Sequence, residues 1–351
     1  MILVRSIAAL VFAVVFALAF GPATAAQDGA ITTTPVSLDP EKGPRSDETE
    51  VGDLVFRGGV ELRSARAALG GLSGLHITGE RMIAVSDCGY WLTATLGEKG
   101  GRLDSLRNVA IVPILDTEGY ALNPNEDCEG DESKRRSDAE SIAAAPAGGL
   151  FVAFERYHRI RRYPEGPLSA RAIAGPALPE DASLDRNRGI EALARLSDGR
   201  LLALAEKEKE GEAPGWLIGS NGGTTPFRYI VDDDYVPTGA SAIPGGGFLV
   251  LERSYRDRVT RVRLVAVNHI PSEGKAIKGK TIASFRNVPG KLRESCGNEG
   301  VQFPDGAFCI DKFEGVAVRK DSGGGLDVFL VSDADHHRNR HTLLLKFSWT
   351  R

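Results

Sequence analysis

Short, nearly unbroken apolar runs separated by glycine-bearing turns recur along the chain, each flanked by an acid or a hydroxyl residue. The first copy opens at Ser73-Gly74-Leu75, turns at Gly79 and closes through Ile83-Ala84-Val85-Ser86-Asp87. The second runs from Glu140-Ser141-Ile142-Ala143 through Gly148-Gly149 to Leu150-Phe151-Val152-Ala153-Phe154-Glu155. Glu191-Ala192-Leu193-Ala194, Asp198-Gly199 and Leu201-Leu202-Ala203-Leu204-Ala205-Glu206 make the third. Thr238-Gly239-Ala240-Ser241, Gly245-Gly246-Gly247 and Phe248-Leu249-Val250-Leu251-Glu252 make the fourth. The last is Glu314-Gly315-Val316-Ala317, Gly323-Gly324-Gly325 and Val328-Phe329-Leu330-Val331-Ser332-Asp333. Two short strands joined by a Gly or Asp-Gly turn predict a β-hairpin in each copy. The closing runs do not alternate apolar with polar, so both faces of those strands are expected to be buried.

The copies begin 67, 51, 47 and 76 residues apart, which leaves room for each hairpin and two further strands. A four-stranded unit repeated at roughly 40–50 residues is the footprint of a propeller blade. The expected fold class is all-β, a single β-propeller of five or six blades, with space for a degenerate sixth blade in 90–138 or 254–312. A β-sandwich with coincidental glycine turns is the competing architecture. It gives no reason for acids to return at matched positions on both sides of each hairpin. Radial repetition does, and it also shields strand edges from other chains.

Matched strand ends of a propeller converge on one mouth of its central channel. Glu140, Glu191 and Glu314 occupy one mark, with Ser73 and Thr238 in the other two copies, and Asp87, Glu155, Glu206, Glu252 and Asp333 occupy the other. A carboxylate ending an apolar strand is costly to bury unless it is paired or binds metal. Any single one of them is explained by a turn cap or by a neighbouring base such as Arg156, Lys207 or Arg253. A whole ring of them repels itself without a cation, and a ring of oxygen ligands suits Ca²⁺, which takes six to eight. Glu140, Glu191, Glu314 and Asp333, with Asp87 and Glu252, are therefore the expected metal ligands.

Two other acidic runs, Asn125-Glu126-Asp127-Cys128-Glu129-Gly130-Asp131-Glu132 and Asp232-Asp233-Asp234, lack the D-x-D-x-D-G order of a Ca²⁺ loop and read as solvated loops. Asp333-Ala334-Asp335-His336-His337 follows the last inner strand and is expected near the same mouth. Signatures of nucleophilic or nucleotide chemistry are missing: there is no G-x-S-x-G, no P-loop and no G-x-G-x-x-G after a strand.

The first residues set the compartment. Residues 1–26 carry Arg5, an apolar stretch from Ile7 to Phe20 and the small residues Ala23-Thr24-Ala25-Ala26, the order of a cleavable secretory signal. Its apolar core falls short of the roughly 20 residues a membrane span needs, so no anchor is expected after cleavage. No twin-Arg pair precedes it, which favours general secretion. Residues 27–50 are polar and aperiodic and read as a flexible leader, leaving 51–351 as the propeller domain. A periplasmic or secreted protein is the expectation. Cys88, Cys128, Cys296 and Cys309 then read as two disulfides. Three pairings are possible; Cys296–Cys309 closes a short loop, and Cys88–Cys128 would follow from it. With 42% hydrophobic and 26% charged residues the composition is globular, and the net charge of −4 gives no basic excess for nucleic acid.

Several hairpin motifs resemble those of the exported bacterial phytase-like, or esterase-like phytase, domain family. They are Leu72-Ser73-Gly74-Leu75 with Ser86-Asp87, Asp138-Ala139-Glu140-Ser141-Ile142 with Phe154-Glu155-Arg156, Asn187-Arg188-Gly189-Ile190-Glu191-Ala192-Leu193 with Glu206, and Phe313-Glu314-Gly315-Val316-Ala317 with Ser332-Asp333. The likeness spans roughly 55 to 348 and implies a β-propeller that hydrolyses phosphomonoesters or other esters. The Thr238 copy departs from the Glu form. A small anionic ester is the expected substrate, with Ca²⁺ inverting the local charge and activating a water. Glu155 or Glu206 is then the expected general base, and Arg156, Lys207, Arg253 and Arg188 the groups that steady the leaving oxygen or further phosphates. A non-catalytic propeller binding module and a lactonase-type propeller hydrolase are the rival readings.

Overall fold

Each of the repeated hairpins forms, and each becomes the inner half of a four-stranded antiparallel sheet. The computed structural model describes residues 31–36, 50–179, 182, 184–206, 211–232, 234–256, 259–286, 312–333 and 342–350. Sheet one consists of Leu72–Thr78, Arg81–Ser86, Tyr90–Lys99 and Arg102–Pro113. Sheet two is Ala139–Ala144, Leu150–Phe154, Arg159–Tyr163 and Ile173–Ala174. Sheet three is Ile190–Arg195, Leu201–Ala205, Glu212–Ile218 and Thr224–Ile230, with the short Ala276–Ile277 added in parallel at its edge. Val236–Ala242, Phe248–Arg256, Val259–Val267 and Lys280–Arg286 form sheet four. Sheet five takes Lys312–Lys320, Leu326–Asp333 and Thr342–Trp349 from the C-terminal end, and its outer strand Leu54–Arg63 from the N-terminal end.

The first strands of the five sheets touch one another in order, and the fifth returns to the first, so the protein is an all-β, propeller-like ring. Two devices close it. The N-terminal strand pairs with Thr342–Trp349, which ties both ends of the chain into one sheet. The same strand also bridges in parallel to sheet one through Gly58 and Leu103. Gly58 has φ +88°, and a Cβ there would lie 2.2 Å from the Leu103 carbonyl oxygen, so only glycine fits that junction. Within the polar 27–50 segment, Thr32–Val36 pairs as a further strand on Leu54–Arg63.

Residues 90–113 complete sheet one and 114–138 hold a loop and the helix α1 (Asp131–Ser137), so the space allowed for a sixth blade in 90–138 is taken up within the ring of five. The part of 254–312 that is described serves sheet four and the edge of sheet three, and 287–311 lie outside the described residues.

The second strand of each hairpin is buried on both faces, as the unalternating runs predict; Leu150–Phe154 and Leu201–Ala205 are buried throughout. Apolar clusters lie between neighbouring sheets. Leu251, Val262 and Leu264 pack with Val328, Leu330 and Phe347 between sheets four and five, and Ala153 and Phe151 pack with Leu193, Ala203 and Trp216 between sheets two and three. The core is thus a set of sheet-to-sheet wedges, and the ring axis is left to the polar residues of the first strands. Cys88 and Cys128 form a disulfide; Cys296 and Cys309 lie outside the described residues. No helix among the described residues is long and apolar enough to cross a membrane.

Candidate active site at the channel mouth

A β-bulge interrupts the first strand of every sheet, and each falls on the residue that begins a sequence copy. The pairing skips Ser73, Glu140, Glu191, Thr238 and Glu314. A bulge leaves one residue outside the ladder and re-aims its side chain. The five residues are thereby released from the strand-to-strand packing at one level of the ring. The following residue is small in all five copies, Gly74, Ser141, Ala192, Gly239 and Gly315. A Cβ on Gly239 would stand 2.7 Å from the carbonyl oxygen of Glu314, which shows how closely adjacent first strands approach.

The second mark lies beyond the pair that precedes each bulge. Asp87 and Glu155 donate their backbone N–H to the carbonyls of Gly71 and Asp138, Glu206 donates to Gly189, and Asp333 pairs with Lys312. Sheet four departs from the sequence reading here. Its Pro237 pairs with Glu252, so the residue at the level of Asp87, Glu155, Glu206 and Asp333 is Arg253, opposite Val236. Glu252 is one residue out of step, and in a strand one step turns a side chain to the other face. It is fully buried away from the acidic mouth, accepting hydrogen bonds from Tyr229 Oη at 2.6 Å and from Arg263 Nε. Arg263 also pairs with Asp232 and lies over the Tyr235 ring. Glu252→Ala would leave the buried Arg263 Nε and the Tyr229 hydroxyl without an acceptor while Asp232 still holds the other end of the guanidinium, and the expected loss is about 1–3 kcal/mol of stability. Urea unfolding measures it, with turnover per folded molecule unchanged.

Glu140, Glu191, Glu314, Asp87, Glu155 and Glu206 are brought together. Burial pushes the Glu140 carboxyl well up, and Glu191, Asp138, Asp87 and Glu314 push it further. Glu191 is raised by burial and then by Glu155, Glu206 and Glu314, with Arg253 opposing. Burial, followed by Asp138, lifts Glu155 to about 7, although Oε1 accepts the Gly189 N–H at 3.1 Å. Glu206 is also raised by burial, against Arg188 and Arg253. Among the described residues, the carboxylates of Glu140 and Glu191 have no hydrogen-bond or ion-pair partner. Asp138, Glu140 and Glu155 offer oxygens that all lie within 4.8 Å of one another.

Among the described residues, the cations at this mouth are each already paired with an acid. Lys134 of α1 reaches Asp87 Oδ2 at 2.6 Å. Burial acts to lower its ammonium, but Asp87, Asp138 and Glu140 raise it overall. Arg156 donates from Nε to Asp138 Oδ2 at 2.5 Å and from a terminal nitrogen to Asp131 at 2.9 Å. It adopts φ +59°, a strained conformation for a branched-headed side chain, and the turn aims it at Asp138. Arg253 pairs with Glu314 at 3.3 Å, while its buried Nε has no hydrogen-bond partner among the described residues. Lys312 is 3.9 Å from Asp333, and Arg188 lies 3.9 Å from Asp185. Lys207, Asp335, His336 and His337 lie outside the described residues.

Asp138 and Lys134 belong to this mouth and were not singled out as ligands or bases from the sequence. The Cys88–Cys128 disulfide explains the second: it fastens the loop leading to α1 against the residue after Asp87. Several acids of the two weaker runs already have partners, and Asp233 lies outside the described residues. Asp127 caps Gly130 N–H at 2.9 Å and Glu126 pairs with Arg66, while Asp232 and Asp234 pair with Arg263 and Arg256.

A protein-family model matches residues 67–336, the Phytase-like family, described as esterase-like activity of phytase. The chain belongs to this family. The phytase-like chain matches no curated protein. Among solved structures it is similar to a catalytically inactive virginiamycin B lyase from Staphylococcus aureus with quinupristin, at 12% identity and TM-score 0.39, covering 92% of this chain and all of that one (100%). A glucose dehydrogenase is similar at 12% identity and TM-score 0.35, with 90% of this chain and 98% of that chain covered. The N-terminal domain of Nup159 is similar at 9% identity and TM-score 0.30, with 92% and 96% covered.

Proposed function

We propose that this phytase-like chain is a five-bladed propeller hydrolase, exported by its N-terminal signal, that cleaves phosphomonoesters or other small esters at the acidic mouth with a Ca²⁺-assisted water. The observation that carries the reading is the pair of carboxylates Glu140 and Glu191, which face further acids and, among the described residues, are bonded to no cation, Arg253 opposing the Glu191 shift only from a distance. Such a set is stable only protonated or around a cation. The donor set is all carboxylate oxygen, which fits a hard ion such as Ca²⁺ and does not fit zinc. Glu140, with Asp138, Glu191 and Glu314 around it, would hold the ion, and Glu155 at the edge of that set is kept for the proton. Bound there, the ion would supply positive charge for an anionic ester and lower the pKa of a water.

The chain's own groups do the remainder. Glu155, whose carboxyl burial raises to about 7 before any ion is bound, is placed to accept the proton of the attacking water. Arg253, whose side chain is partly exposed at the ring position that elsewhere holds an acid, is placed to donate to an ester oxygen. Arg156 and Lys134 hold Asp138 and Asp87 in place rather than meeting substrate. Turnover of purified mature protein on a panel of phosphomonoesters, carboxylic esters and lactones, with Ca²⁺ and then with chelator, tests the proposal. Activity lost together with melting temperature supports it. A shift in melting temperature with no activity in any arm would replace it with a binding module.

A further inference from the structure

Outside α1, away from the acidic mouth, a cavity of about 300 Å³ is lined by Arg136, Arg159, Arg161, Tyr157, Tyr163 and Asp116. Arg159, Arg161 and Tyr163 lie two residues apart along one strand, so they share a face. Arg136 comes from the last turn of α1, and its carbonyl accepts a hydrogen bond from Arg159. Arg159 also lies over the Phe154 ring, 4.1 Å from its centroid. Among the described residues, none of these three guanidinium groups is paired with a carboxylate. The single acid of the cavity, Asp116, already accepts the N–H groups of Glu118 and Tyr120. Burial lowers the Arg159 guanidinium to about 10, with Arg161 and Arg136 adding to the effect. Exposed apolar side chains lie on the same stretches of chain: Tyr157, Tyr120, Leu168 and Ile173. The Ala172 N–H donates to the Asp116 carbonyl at 2.8 Å, which draws those stretches together.

Three guanidinium groups around one cavity exceed what a monoanion can neutralise. They match the charge and the three terminal oxygens of a phosphomonoester, which arginines clasp through paired N–H donors. We infer that this cavity is a binding site for a phosphomonoester with an apolar or planar body, its phosphate held by Arg136, Arg159 and Arg161 and its body against Tyr157. None of the channel carboxylates lines the cavity, although Asp138 is near enough to act on Arg159.

Calorimetric titration of mature protein in chelator with phenylphosphonate, which is not hydrolysed, tests this, because the metal-free acidic mouth repels anions. Binding is expected, at least tenfold weaker in the Arg136→Gln/Arg161→Gln double variant. Asp116→Asn keeps the turn acceptor, removes the opposing charge, and should tighten binding about threefold. Benzyl alcohol, the neutral counterpart, should not bind. Vesicles of phosphatidic acid in phosphatidylcholine separate the sources: retention that the double variant loses makes the ligand a lipid headgroup, and binding of phenylphosphonate alone makes it a soluble phosphate ester. Absence of phenylphosphonate binding, or binding indifferent to both variants, overturns the inference.

Discussion

Glu155→Gln is expected to lower ester turnover at neutral pH by about 10²–10⁴-fold, the usual contribution of a positioned general base. Glutamine keeps the volume and can still accept the Gly189 N–H that Glu155 now accepts at 3.1 Å, so the fold should survive. The loss should fall mainly on kcat. Glu206→Gln is the paired control. Glu206 stands at the same level of the ring and is also raised by burial, but Arg188 and Arg253 oppose the rise, which leaves it a weaker proton acceptor than Glu155. Its turnover should stay within about tenfold of the parent. If Glu206→Gln proves the more damaging of the two, the assignment of the base is reversed.

The second large effect concerns pH. Folded-state pKa values are raised above the unfolded ones for Glu140, Glu191, Glu155, Glu206 and Asp138. As pH rises, the unfolded chain releases these protons first, so it binds fewer protons than the folded state and stability falls. For Glu155 the window runs from the unfolded value of 4.5 up to about 7. In chelator the mature protein should therefore lose melting temperature between about pH 5 and pH 8. Two histidines, His76 and His158, are lowered by burial and act in the opposite sense below 6.5. Comparison with the Glu140→Gln/Glu191→Gln variant removes that contribution, since both proteins carry the same histidines. The variant should melt higher than the parent at pH 8 and converge with it at pH 5. Saturating Ca²⁺ should reverse the order at pH 8 by stabilising the parent alone; at a hundredfold excess over Kd such linkage amounts to about 2.7 kcal/mol. A parent that is as stable as the variant at pH 8 in chelator would show that the acids are not crowded.

The ring of hairpins was legible because the turns are written in glycine and because the second strands, buried on both faces, carry no polar residue to break their apolar runs. Leu150–Phe154 and Leu201–Ala205 are the clearest cases. Glu140, Glu191 and Glu314 were legible as a set through their repeated place ahead of a small residue. What the repeat conceals is register. Glu252 ends its apolar run just as Glu155 and Glu206 do, yet sheet four pairs one step later, and Arg253 takes the ring position. Periodicity of two makes a one-residue error total, and only the residue opposite, Pro237, reveals it. An acid or hydroxyl residue followed by Gly, Ser or Ala in each copy marks the bulges and was available in the sequence. Lys134 carried no such signal, because its approach to Asp87 depends on a helix brought in by the Cys88–Cys128 bond across 40 residues.

The most direct test is a crystal of the mature protein grown with Tb³⁺ in place of Ca²⁺, read as anomalous difference density. A single strong peak within ligand distance of the carboxylates of Glu140, Glu191 and Glu314, absent from crystals of the Glu140→Gln/Glu191→Gln variant, is the result expected. Density confined to surface acids, with Glu140 and Glu191 turned apart or paired to arginine, would contradict the account.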